Sequence, residues 1–440
     1  MLLARRNEGK MKVIIMAGGK GTRIQSITSD IPKPMLKINK MPVLEHEIRN
    51  LASQGFTEII ITVSYLGQVI MDYFKDGSSY GVQISYFVEE QPLGNAGALF
   101  LLRDQLDSDF LLLNADVIFD VDFQRFAAYH KAKGGLATIF THQNSHPYDS
   151  GLVIADKNGT VEQWLTKEEE RPQYYKNRVN AGLHILTPAA LDLAKDKIEG
   201  GEKVFKADLD RQILRPLAGT GKLFCYDSPE YIKDMGTPER FYMVERYFLT
   251  GIVQAQNLSK QQKAIFLDRD GTINVYKGFL KNIKDFELIR GVADAIRKIN
   301  ESGYLAIVVT NQPVVARGEL SLLELEEIHN RMETELGIAG AYLDSIYFCP
   351  HHPDKGYSGE VPEFKIECDC RKPKPGMLFQ AAKDFNINLL DSWIIGDGEN
   401  DIKAGKAAGC KTVLVGNGKY NQDITVDSVK EFVENWICRK

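Results

Sequence analysis

The sequence predicts an α/β protein of two domains with mainly parallel sheets. A chain of 440 residues is too long for one ordinary hydrophobic core, so two domains are expected. Two apolar runs, Lys12–Met16 and Ala264–Leu267, pass directly into the turns Ala17–Arg23 and Asp268–Thr272. This pattern is typical of a parallel strand that delivers chemistry at its carboxyl end.

Strand and helix patterns alternate along both halves, which favours two Rossmann-like domains. The predicted strands are Glu58–Val63, Phe110–Leu113, Leu136–Thr141, Leu305–Thr310, Trp393–Gly396 and Thr412–Val415. The predicted helices are Val43–Gln54, Asp122–Ala132, Val292–Glu301, Leu322–Leu336 and Gly376–Phe385. The polar stretch 251–262 lacks periodicity, so we expect a linker there between domains at residues 1–250 and 263–440.

Composition excludes several classes of protein. Apolar residues make up 44% and charged residues 26% of the chain, as in ordinary globular proteins. The formal net charge is −5 and no long basic run occurs, so nucleic acid is not an expected partner. The apolar runs are too short to span a membrane and no signal-peptide pattern precedes the first strand, so a cytoplasmic protein is expected. The chain has only six cysteines in 440 residues, which indicates that they are reduced thiols rather than a disulfide framework.

The first chemical motif is the glycine-rich turn Ala17–Arg23. Such a turn leaves backbone N–H groups free to bind phosphate oxygens, although it also fits a simple tight turn. Arg23 adds a planar fork suited to pyrophosphate, and Lys33, between two prolines, adds a cation on a stiffened segment. The glycine spacing matches neither a P-loop nor the dinucleotide-binding fingerprint.

Asp116 and Asp234 are candidate magnesium ligands. Two hard carboxylates from separate strand ends can hold an Mg²⁺ ion that neutralises an α-phosphate while a sugar phosphate attacks in line. The alternative is that Asp116 only ends a strand and Asp234 only caps a turn. The motifs that accompany them favour the metal site.

Six motifs of the first half stand in the order of a known family. They are Gly18-Gly19-Lys20-Gly21-Thr22-Arg23, Pro32-Lys33-Pro34-Met35, Gln91-Pro92-Leu93-Gly94-Asn95-Ala96-Gly97, Asn114-Ala115-Asp116, Asn180-Ala181-Gly182 and Asp234-Met235-Gly236-Thr237-Pro238-Glu239. Residues 11–245 thereby resemble the sugar-phosphate nucleotidylyltransferases, which implies a mixed sheet in this half.

The resemblance implies a role for each motif. Lys33 would stabilise charge at the reacting phosphorus, and Asp116 and Asp234 would hold Mg²⁺. The implied substrate contacts are the β- and γ-phosphates of an NTP on Gly18, Gly19, Gly21, Thr22 and Arg23, the base near Gly94, and the sugar near Gly151 and Asn180.

One segment departs from the family pattern. The family usually presents a lysine to the sugar 1-phosphate in a Glu-Lys-Pro motif, whereas this chain reads Trp164–Pro172 in that region. Lys167 is the candidate for that lysine and Arg171 is its rival. A charge run of this kind also fits a solvated face.

The second chemical motif is Asp268-Arg269-Asp270-Gly271-Thr272 after an apolar strand. Alternate residues of an extended backbone point in opposite directions, so one carboxylate can attack phosphorus while the other protonates the leaving oxygen. A lone Asp-x-Asp also fits an exposed loop. Three further elements follow: Thr310-Asn311, Arg371-Lys372-Pro373, and Gly396-Asp397 with Asp401.

Together these four elements resemble the haloacid dehalogenase-type phosphatases. The resemblance implies a parallel sheet, Asp268 as the nucleophile and Asp270 as the acid/base. Three residues would hold the phosphoryl oxygens: Thr310, Asn311 and Lys372. Mg²⁺ would bind to Asp268, to Asp270 through its carbonyl group, and to Asp397.

Two pairs of soft ligands suit a zinc ion. Cys349 and His351 form one pair, Cys368 and Cys370 the other, and each spacing lets both members reach one ion. Four protein ligands leave no open position, so the site is expected to be structural and to pin the loop 350–367. The alternatives are four unrelated side chains, or His352 in place of His351.

The sequences around these ligands narrow the second resemblance to the heptose bisphosphate and histidinol-phosphate phosphatases. Ala316-Arg317-Gly318 favours the heptose branch, in which Arg317 would contact substrate, and we place Arg371 with the substrate-binding residues too. Pro313-Val314 stands where Ser-Gly is more usual. This departure leaves the preferred substrate or anomer open but not the phosphatase chemistry.

The pairing of the two halves has a chemical reason. A phosphatase that removed the 7-phosphate of heptose 1,7-bisphosphate would spare the 1-phosphate that the first half needs. The tandem resembles fused heptose 7-phosphatases and heptose 1-phosphate guanylyltransferases, and the segment 29–35 is similar to the guanylyltransferase branch. This resemblance implies GTP and heptose phosphate as substrates, GDP-heptose and pyrophosphate as products, and Mg²⁺ at both sites. A homo-oligomer is compatible with it.

Two other hypotheses remain open at this point. One is a mannose-type hexose 1-phosphate nucleotidylyltransferase fused to a histidinol-phosphate-type phosphatase. The other is a sugar-nucleotide sensor or scaffold whose first half has lost catalysis. The irregular segment around Lys167 supports this hypothesis, whereas the retained Asp116 and Asp234 argue against it.

Overall fold

The computed structural model describes residues 11–19, 31–64, 66–195 and 206–438. Contacts divide the chain into two compact units. The first takes the residues up to 142, 153–164 and 180–254, and the second takes 143–152, 165–179 and the residues from 255 onward. Two short segments from the first half of the sequence, 143–152 and 165–179, therefore belong to the second unit.

The first half of the chain forms a mixed sheet and flanking helices. The strands are β1 (Lys12–Met16), β2 (Lys37–Ile38), β3 (Met41–Pro42), β4 (Glu58–Val63), β5 (Gln83–Val88), β6 (Phe110–Asn114), β7 (Val117–Asp120), β8 (Ala137–His142), β9 (Leu152–Ala155), β10 (Val161–Leu165), β11 (Val179–Leu186), β12 (Leu223–Asp227) and β13 (Tyr231–Asp234). The helices are α1 (Val43–Ser53), α2 (Gly67–Phe74), α3 (Gly97–Leu101), α4 (Phe123–Lys133), α5 (Pro188–Lys195), α6 (Pro238–Leu249) and α7 (Ile252–Ala255).

The large sheet of this half has the order β10-β9-β11-β6-β1-β4-β5, and β8 links β11 to β12. Strands β1, β4, β5 and β6 pair in parallel, whereas β11 runs antiparallel to β6. The central strand β1 is apolar on both faces, since Val13 and Ile15 pack into one core and Ile14 into the other. The mixed sheet predicted for this half is confirmed.

The sheet register brings the predicted chemical motifs to one edge. Met16 at the end of β1 pairs with Asn114 at the end of β6, so the glycine turn and Asp116 follow neighbouring strand ends. Asp234 ends β13 and lies opposite Val117 of β7, the residue after Asp116. Carboxyl ends of adjacent parallel strands are where open α/β sheets bind ligands.

The second half of the chain forms a six-stranded sheet that is parallel throughout. Its strands are β14 (Ala264–Leu267), β15 (Leu305–Asn311), β16 (Ser345–Cys349), β17 (Trp393–Gly396), β18 (Lys411–Val415) and β19 (Ile424–Val426), in the order β16-β15-β14-β17-β18-β19. Its helices are α8 (Val292–Asn300), α9 (Pro313–Ala316), α10 (Leu322–Ile338), α11 (Gly376–Phe385), α12 (Glu399–Ala408) and α13 (Val429–Phe432). The predicted parallel sheet is confirmed.

The sequence located most elements to within two residues. Trp393–Gly396 and Gly376–Phe385 agree with β17 and α11 at both ends. Asp122, predicted as the first helical residue, is instead the N-cap of α4, where its carboxylate accepts a hydrogen bond from Arg125 N at 3.0 Å. The short helix α7 lies inside the stretch expected to be a linker. No helix in the described part of the chain is long and apolar enough to cross a membrane.

Candidate active sites

The first unit has a cleft of about 510 Å³ at the carboxyl edge of its sheet. Its lining includes five residues that the sequence singled out: Gly18, Gly19, Lys33, Gly94 and Asp116. Three more predicted residues, Gly21, Thr22 and Arg23, lie outside the described residues. The structure thus brings a glycine turn, a lysine and a carboxylate together in one cleft.

Lys33 is held against Asp116. Its ammonium donates to Asp116 Oδ2 at 2.5 Å, and the lysine side chain is largely buried. Lys33 begins a short 3-10 turn directly after Pro32, whose ring fixes the backbone φ at −65°. The rigid turn therefore delivers a cation to the carboxylate that the sequence predicts as a metal ligand.

Asp234 has a cation of its own. Arg240 Nη1 donates to both of its carboxylate oxygens at 2.9 Å, and Gly236 N donates at 2.8 Å. Burial acts to raise the pKa of Asp234, but Arg240, the Gly236 N–H and Lys33 together bring it below its ordinary value. The carboxylate is therefore ionised at neutral pH, as a magnesium ligand must be.

Gly94 occupies a position that only glycine fits. Its φ is +79°, and a Cβ built there would lie 2.2 Å from the carbonyl oxygen of Ala207. The following residue, Asn95, accepts a hydrogen bond from Leu209 N at 2.7 Å, which holds the turn in place. The loop expected to lie near the base is therefore tightly fixed.

Glu89 lines the same cleft and was missed by the sequence reasoning. A Cβ added to Gly18 would lie 3.0 Å from Glu89 Oε1, so this carboxylate faces the glycine turn. Burial raises the pKa of Glu89. Its position just before the Gln91–Gly97 motif was the available signal.

A second carboxyl group near the cleft was also missed. Glu47 of α1 is 1% exposed, and burial, followed by the nearby charge of Asp116, raises its pKa well above the ordinary value. Charged residues of a helix usually face solvent, so the sequence offered no reason to single out Glu47.

Asn180 lies in β11, and its amide orientation is fixed by its neighbours. Asn180 Oδ1 accepts from Gly182 N at 3.2 Å and from His184 Nε2 at 3.1 Å. Burial lowers the pKa of His184 to about 3, so this ring is neutral. The contact of Asn180 with a sugar stays a prediction.

The second unit concentrates carboxylates at the carboxyl ends of β14 and β17. Oxygens of Asp268, Asp397 and Asp401 all lie within 4.8 Å of one another. Lys372 Nζ lies 2.8 Å from Asp268 Oδ1 and 2.5 Å from Asp401 Oδ1. Gly271 leaves room for this cluster, because a Cβ there would meet Asp397 Oδ2 at 2.0 Å. Oxygen ligands this close together suit Mg²⁺.

The charges of this cluster perturb one another. Burial raises the pKa of Asp268 to about 6; Lys372 opposes the shift and Asp401 adds to it. Burial, and then the charge of Asp268, raise the pKa of Asp397 to about 6. Burial acts to lower the pKa of Lys372, but Asp268 and Asp401 raise it overall. The lysine is therefore a fixed cation, while a further cation would favour ionisation of the carboxyl groups.

Asp270 is oriented by groups that the sequence reasoning did not identify. Arg269, which is fully buried, donates from Nη2 to Asp270 Oδ2 at 2.8 Å, and Gln312 Nε2 donates to the same oxygen at 2.9 Å. Gln312 also donates to Thr310 Oγ1 at 2.9 Å. One amide thus links the predicted acid/base to a predicted phosphate ligand.

Asn311 holds the backbone of Lys372. Its Nδ2 donates to Lys372 O at 2.9 Å, and its Oδ1 accepts from Lys372 N at 3.0 Å. The sequence predicted that Asn311 contacts phosphate; the structure shows its amide engaged in positioning the lysine. The phosphate contact itself stays a prediction.

The four predicted zinc ligands lie together. The ligand atoms of Cys349, His351, Cys368 and Cys370 all fall within 4.8 Å of one another. The sulfur atoms are 3.2–3.5 Å apart and His351 Nδ1 is 3.4 Å from Cys370 Sγ. Tetrahedral Zn²⁺ with bonds of about 2.3 Å to sulfur needs separations only slightly larger. The donor set therefore fits zinc, with His351 rather than His352 in the cluster.

Next to the phosphatase motif lies a cluster of cations around His352. Arg317 Nη2 is 3.4 Å from His352 Nε2, and its guanidinium stacks over Phe279 and Tyr357. Burial, followed by the charges of Arg371, Arg317 and, more weakly, Lys365, lowers the pKa of His352. Lys365, which sequence reasoning missed, is 9% exposed. The cluster therefore contains three cations, and two carboxylates also face it: Glu360 lies 3.6 Å from Lys365 Nζ and Asp354 lies 3.7 Å from His352 Nε2.

Gly151, Lys167 and Arg171 belong to the second unit. The guanidinium of Arg171 donates to backbone carbonyls of Pro147 at 3.1 Å and Ser150 at 2.5 Å, so it is committed to the loop. Lys167 is half exposed and lies 3.4 Å from Asp149 Oδ1. This geometry favours Lys167 over Arg171 as the candidate for a phosphate contact.

Comparisons with known proteins match the two halves of the sequence to two different families. Residues 12–250 match the nucleotidyl transferase family and residues 369–435 match the HAD-hydrolase-like family. The chain is 34% identical to the mannose-1-phosphate guanyltransferase of Debaryomyces hansenii, an alignment that covers 55% of this chain and 66% of the relative. The chain thus spans slightly under two thirds of that protein.

The other half has relatives of its own. The chain is 45% identical to the D-glycero-beta-D-manno-heptose-1,7-bisphosphate 7-phosphatase of Yersinia pestis, over 41% of this chain and 92% of the relative. Among solved structures, HddC from Yersinia pseudotuberculosis is 25% identical with a TM-score of 0.45, covering 54% of this chain and 99% of HddC.

The folds and sites define a transferase of nucleotidyl groups joined to a phosphatase. The chain belongs to the nucleotidyl transferase family and, in its C-terminal half, to the haloacid dehalogenase-type phosphatase family of the Yersinia pestis enzyme. The fusion of these two families predicted from the sequence is confirmed.

The carboxylate cluster predicts a stability that depends on pH and Mg²⁺ together. Because the folded-state pKa values of Asp268 and Asp397 are about 6, against ordinary values of 3.8, their stabilising contribution is present below the ordinary value and lost as pH rises through 6. Mg²⁺ binding to the ionised groups should restore it. We expect Mg²⁺ to raise the unfolding temperature of the second unit by about 5–10 °C near pH 7.5 and much less near pH 5.

The measurement is differential scanning calorimetry of the full chain at both pH values, with and without Mg²⁺. Asp397→Asn removes one of the two carboxyl groups whose pKa is raised. The Mg²⁺-induced rise in unfolding temperature should then differ less between the two pH values. A rise of equal size at pH 5 and pH 7.5 would contradict the assignment of these carboxyl groups as Mg²⁺ ligands.

Proposed function

We propose that the chain acts twice on one sugar. Its second half removes the 7-phosphate of heptose 1,7-bisphosphate. Its first half then transfers GMP from GTP to heptose 1-phosphate and releases pyrophosphate, giving GDP-heptose. The observation that carries this proposal is the cation cluster beside the phosphatase motif.

The cation cluster supports a bisphosphate substrate. Arg371 is the chain neighbour of Lys372, and Arg317 follows Gln312 by five residues, so both cations lie close to the reacting phosphate in the chain. A sugar bisphosphate carries a second anion that three cations would attract. Histidinol phosphate carries an ammonium group instead, which the same cluster would repel. Charge therefore favours the heptose branch over the histidinol branch.

In the phosphatase step, Asp268 attacks the 7-phosphorus and the sugar O7–P bond breaks. Asp270 gives the departing oxygen a proton and then takes one from the water that hydrolyses the aspartyl phosphate, so the enzyme is regenerated. Lys372 balances the charge of Asp268 at 2.8 Å. Mg²⁺ on Asp268, Asp397 and the Asp270 carbonyl would add positive charge beside the phosphoryl oxygens.

In the transfer step, an oxygen of the sugar 1-phosphate attacks the α-phosphorus of GTP, and the bond to pyrophosphate breaks. The backbone of the glycine turn binds the leaving phosphates, and Lys33 stabilises charge at the reacting phosphorus. Asp116 and Asp234 would hold Mg²⁺, which would compensate the phosphate charge. Lys33 and Asp116 are paired at 2.5 Å, so Lys33 separates from Asp116 when it stabilises charge at the reacting phosphorus.

Guanine has a chemical reason to bind in this cleft. Its Watson–Crick edge presents two adjacent donors, N1–H and N2–H₂, and a carboxylate can accept both. Glu89 is a carboxylate of the cleft, next to the loop that carries Gly94. Adenine has no such pair of donors.

Glu89→Gln should therefore weaken the preference for GTP. The amide can accept only one of the two hydrogen bonds, so we expect kcat/KM for GTP to fall by about 10–100-fold while KM for the sugar 1-phosphate changes little. Pyrophosphate release with GTP and with ATP measures the preference. Glu90→Gln is the matched control, because Glu90 is exposed and does not line the cleft. Equal effects of the two substitutions would rule out Glu89 as the base reader.

Arg317→Met should damage recognition of the second phosphate. Methionine keeps an apolar stem against Phe279 and Tyr357 but removes the charge, so kcat/KM for heptose 1,7-bisphosphate should fall by about 10–100-fold. Hydrolysis of p-nitrophenyl phosphate, which has no second phosphate, should be nearly unchanged. Lys355→Met removes an exposed cation of the loop 350–367, which carries His352 and Tyr357, and is the control.

The phosphate-release assay also tests the proposed function itself. Release from histidinol phosphate, but not from heptose 1,7-bisphosphate, would overturn the phosphatase assignment. Faster pyrophosphate release with mannose 1-phosphate than with heptose 1-phosphate would overturn the transferase assignment, and would favour the hexose activity that the Debaryomyces relative's name describes.

We also propose that Zn²⁺ is structural in this protein. Cys370→Ser should lower the zinc content from one ion per chain and reduce the unfolding temperature of the second unit, because zinc binding contributes directly to folding free energy. Metal analysis and calorimetry measure both effects. Cys438→Ser changes an exposed cysteine outside the cluster and should leave both values unchanged. Full zinc content in the Cys370 variant would refute the assignment.

A further inference from the structure

The carboxylate of Asp270 accepts hydrogen bonds from three side chains of the second unit. Arg269 Nη2 donates to Oδ2 at 2.8 Å and to Oδ1 at 3.0 Å. Asn274 Nδ2 donates to Oδ1 at 3.0 Å, and Gln312 Nε2 donates to Oδ2 at 2.9 Å. Donors on both oxygens hold the plane of this carboxylate in one orientation.

Arg269 also determines which way the amide of Gln312 points. A guanidinium group has only donors, so the side-chain atom of Gln312 that faces it must be the oxygen. Arg269 Nη2 donates to Gln312 Oε1 at 3.0 Å. The amide nitrogen therefore faces Asp270 Oδ2 and Thr310 Oγ1, each at 2.9 Å. A turned amide would place its NH₂ group against the guanidinium, donor against donor.

The direction of these bonds decides what the hydroxyl of Thr310 can do. A hydroxyl has one hydrogen, and Thr310 Oγ1 accepts from Gln312, so its own hydrogen is left for a different acceptor. Leu267 of β14 pairs with Val308 of β15, so Asp268 and Thr310 both stand at the carboxyl edge of the sheet. A phosphoryl oxygen bound at this edge is an acceptor of the right kind.

Arg269 is itself fixed from behind. It is fully buried, and its Nη1 lies 3.3 Å from His329 Nε2. Burial, followed by the charge of Arg269, lowers the pKa of His329 well below its ordinary value, so the neutral ring can accept a hydrogen bond. The backbone of Gln312 is held as well, because its N–H donates to Cys349 O at 2.8 Å. The amide is therefore fixed at both ends.

We propose that Gln312 is a positioning residue of the phosphatase reaction. Its amide, oriented by Arg269, aligns the carboxyl group of Asp270 and the hydroxyl group of Thr310 on the same phosphate ester. The inference rests on the proposed function, in which Asp270 gives a proton to the departing sugar oxygen as Asp268 bonds to phosphorus. The alternative is that Gln312 only joins the ends of β14 and β15.

A comparison of two leaving groups tests the inference. A sugar alkoxide needs a proton from the enzyme as it departs, whereas p-nitrophenolate leaves with little help. Gln312→Met in the Mg²⁺-loaded full chain should lower kcat/KM about 100-fold for heptose 1,7-bisphosphate but only about fivefold for p-nitrophenyl phosphate. Equal losses for the two substrates would overturn the inference, because a loosened structure affects both alike.

Gln312→Glu is the second variant, in case Gln312→Met fails to fold. It keeps the shape and an oxygen for Arg269, but its carboxylate accepts where the amide donates. The loss should again be at least tenfold larger for heptose 1,7-bisphosphate than for p-nitrophenyl phosphate. Gln380→Met, on the exposed face of α11, is the control and should change neither rate. A wild-type ratio of the two rates in Gln312→Glu would contradict the inference.

Asp270→Asn separates this inference from the proposed function. It removes the acid/base itself, so it should also favour p-nitrophenyl phosphate, and adding Gln312→Met should not change the ratio further. A wild-type ratio in Asp270→Asn would show that the proposed role of Asp270 is wrong. A changed ratio in Asp270→Asn with a wild-type ratio in Gln312→Met would overturn the role of Gln312 alone.

Discussion

In each unit a lysine ammonium holds a carboxylate at the carboxyl end of a parallel strand. Lys33 lies 2.5 Å from Asp116 after β6, and Lys372 lies 2.8 Å from Asp268 after β14. Without such a cation, carboxylates this close to phosphate-binding groups would repel one another and the substrate alike. The lysine keeps each site assembled before a metal–phosphate complex arrives.

The two lysines differ in how strongly they are fixed. Lys372 is almost fully buried between Asp268 and Asp401, and Asn311 holds its backbone from both sides. Lys33 depends on one short turn between prolines. A buried ion pair is costly to break, and both lysines are largely buried in such a pair, with side-chain exposures of 11% for Lys33 and 2% for Lys372. The two units therefore fix their lysines by different means: a short turn for Lys33, and a second carboxylate with a backbone clamp for Lys372.

The sequence predicted the strand ends and their motifs because those signals are local. Apolar runs that stop at glycine or aspartate identify β1 and β14, and ligand spacing identifies the Cys/His cluster. The partners of Asp270 were not predictable: Arg269 and Gln312 look like ordinary polar residues until the fold brings them together. The loops of 143–152 and 165–179 were unpredictable for the same reason, since their contacts on α10 lie more than 150 residues away in the chain.

The charged run near Lys167 shows how a local pattern can mislead. It fits a solvated face, yet Arg171 closes a loop by donating to several backbone carbonyls. Lys167 remains half exposed and available to a ligand. The departure from the usual family motif is therefore compatible with a retained phosphate contact, with the loop held by a different residue.

The central claim is that both sites act in turn on different phosphates of one sugar. The most direct test follows heptose 1,7-bisphosphate with GTP and Mg²⁺ by ³¹P NMR. The account predicts that the signal of the 7-phosphate disappears first while that of the 1-phosphate persists and then becomes a sugar-linked diphosphate. Early loss of the 1-phosphate signal, or a diphosphate that keeps the 7-phosphate, would contradict it.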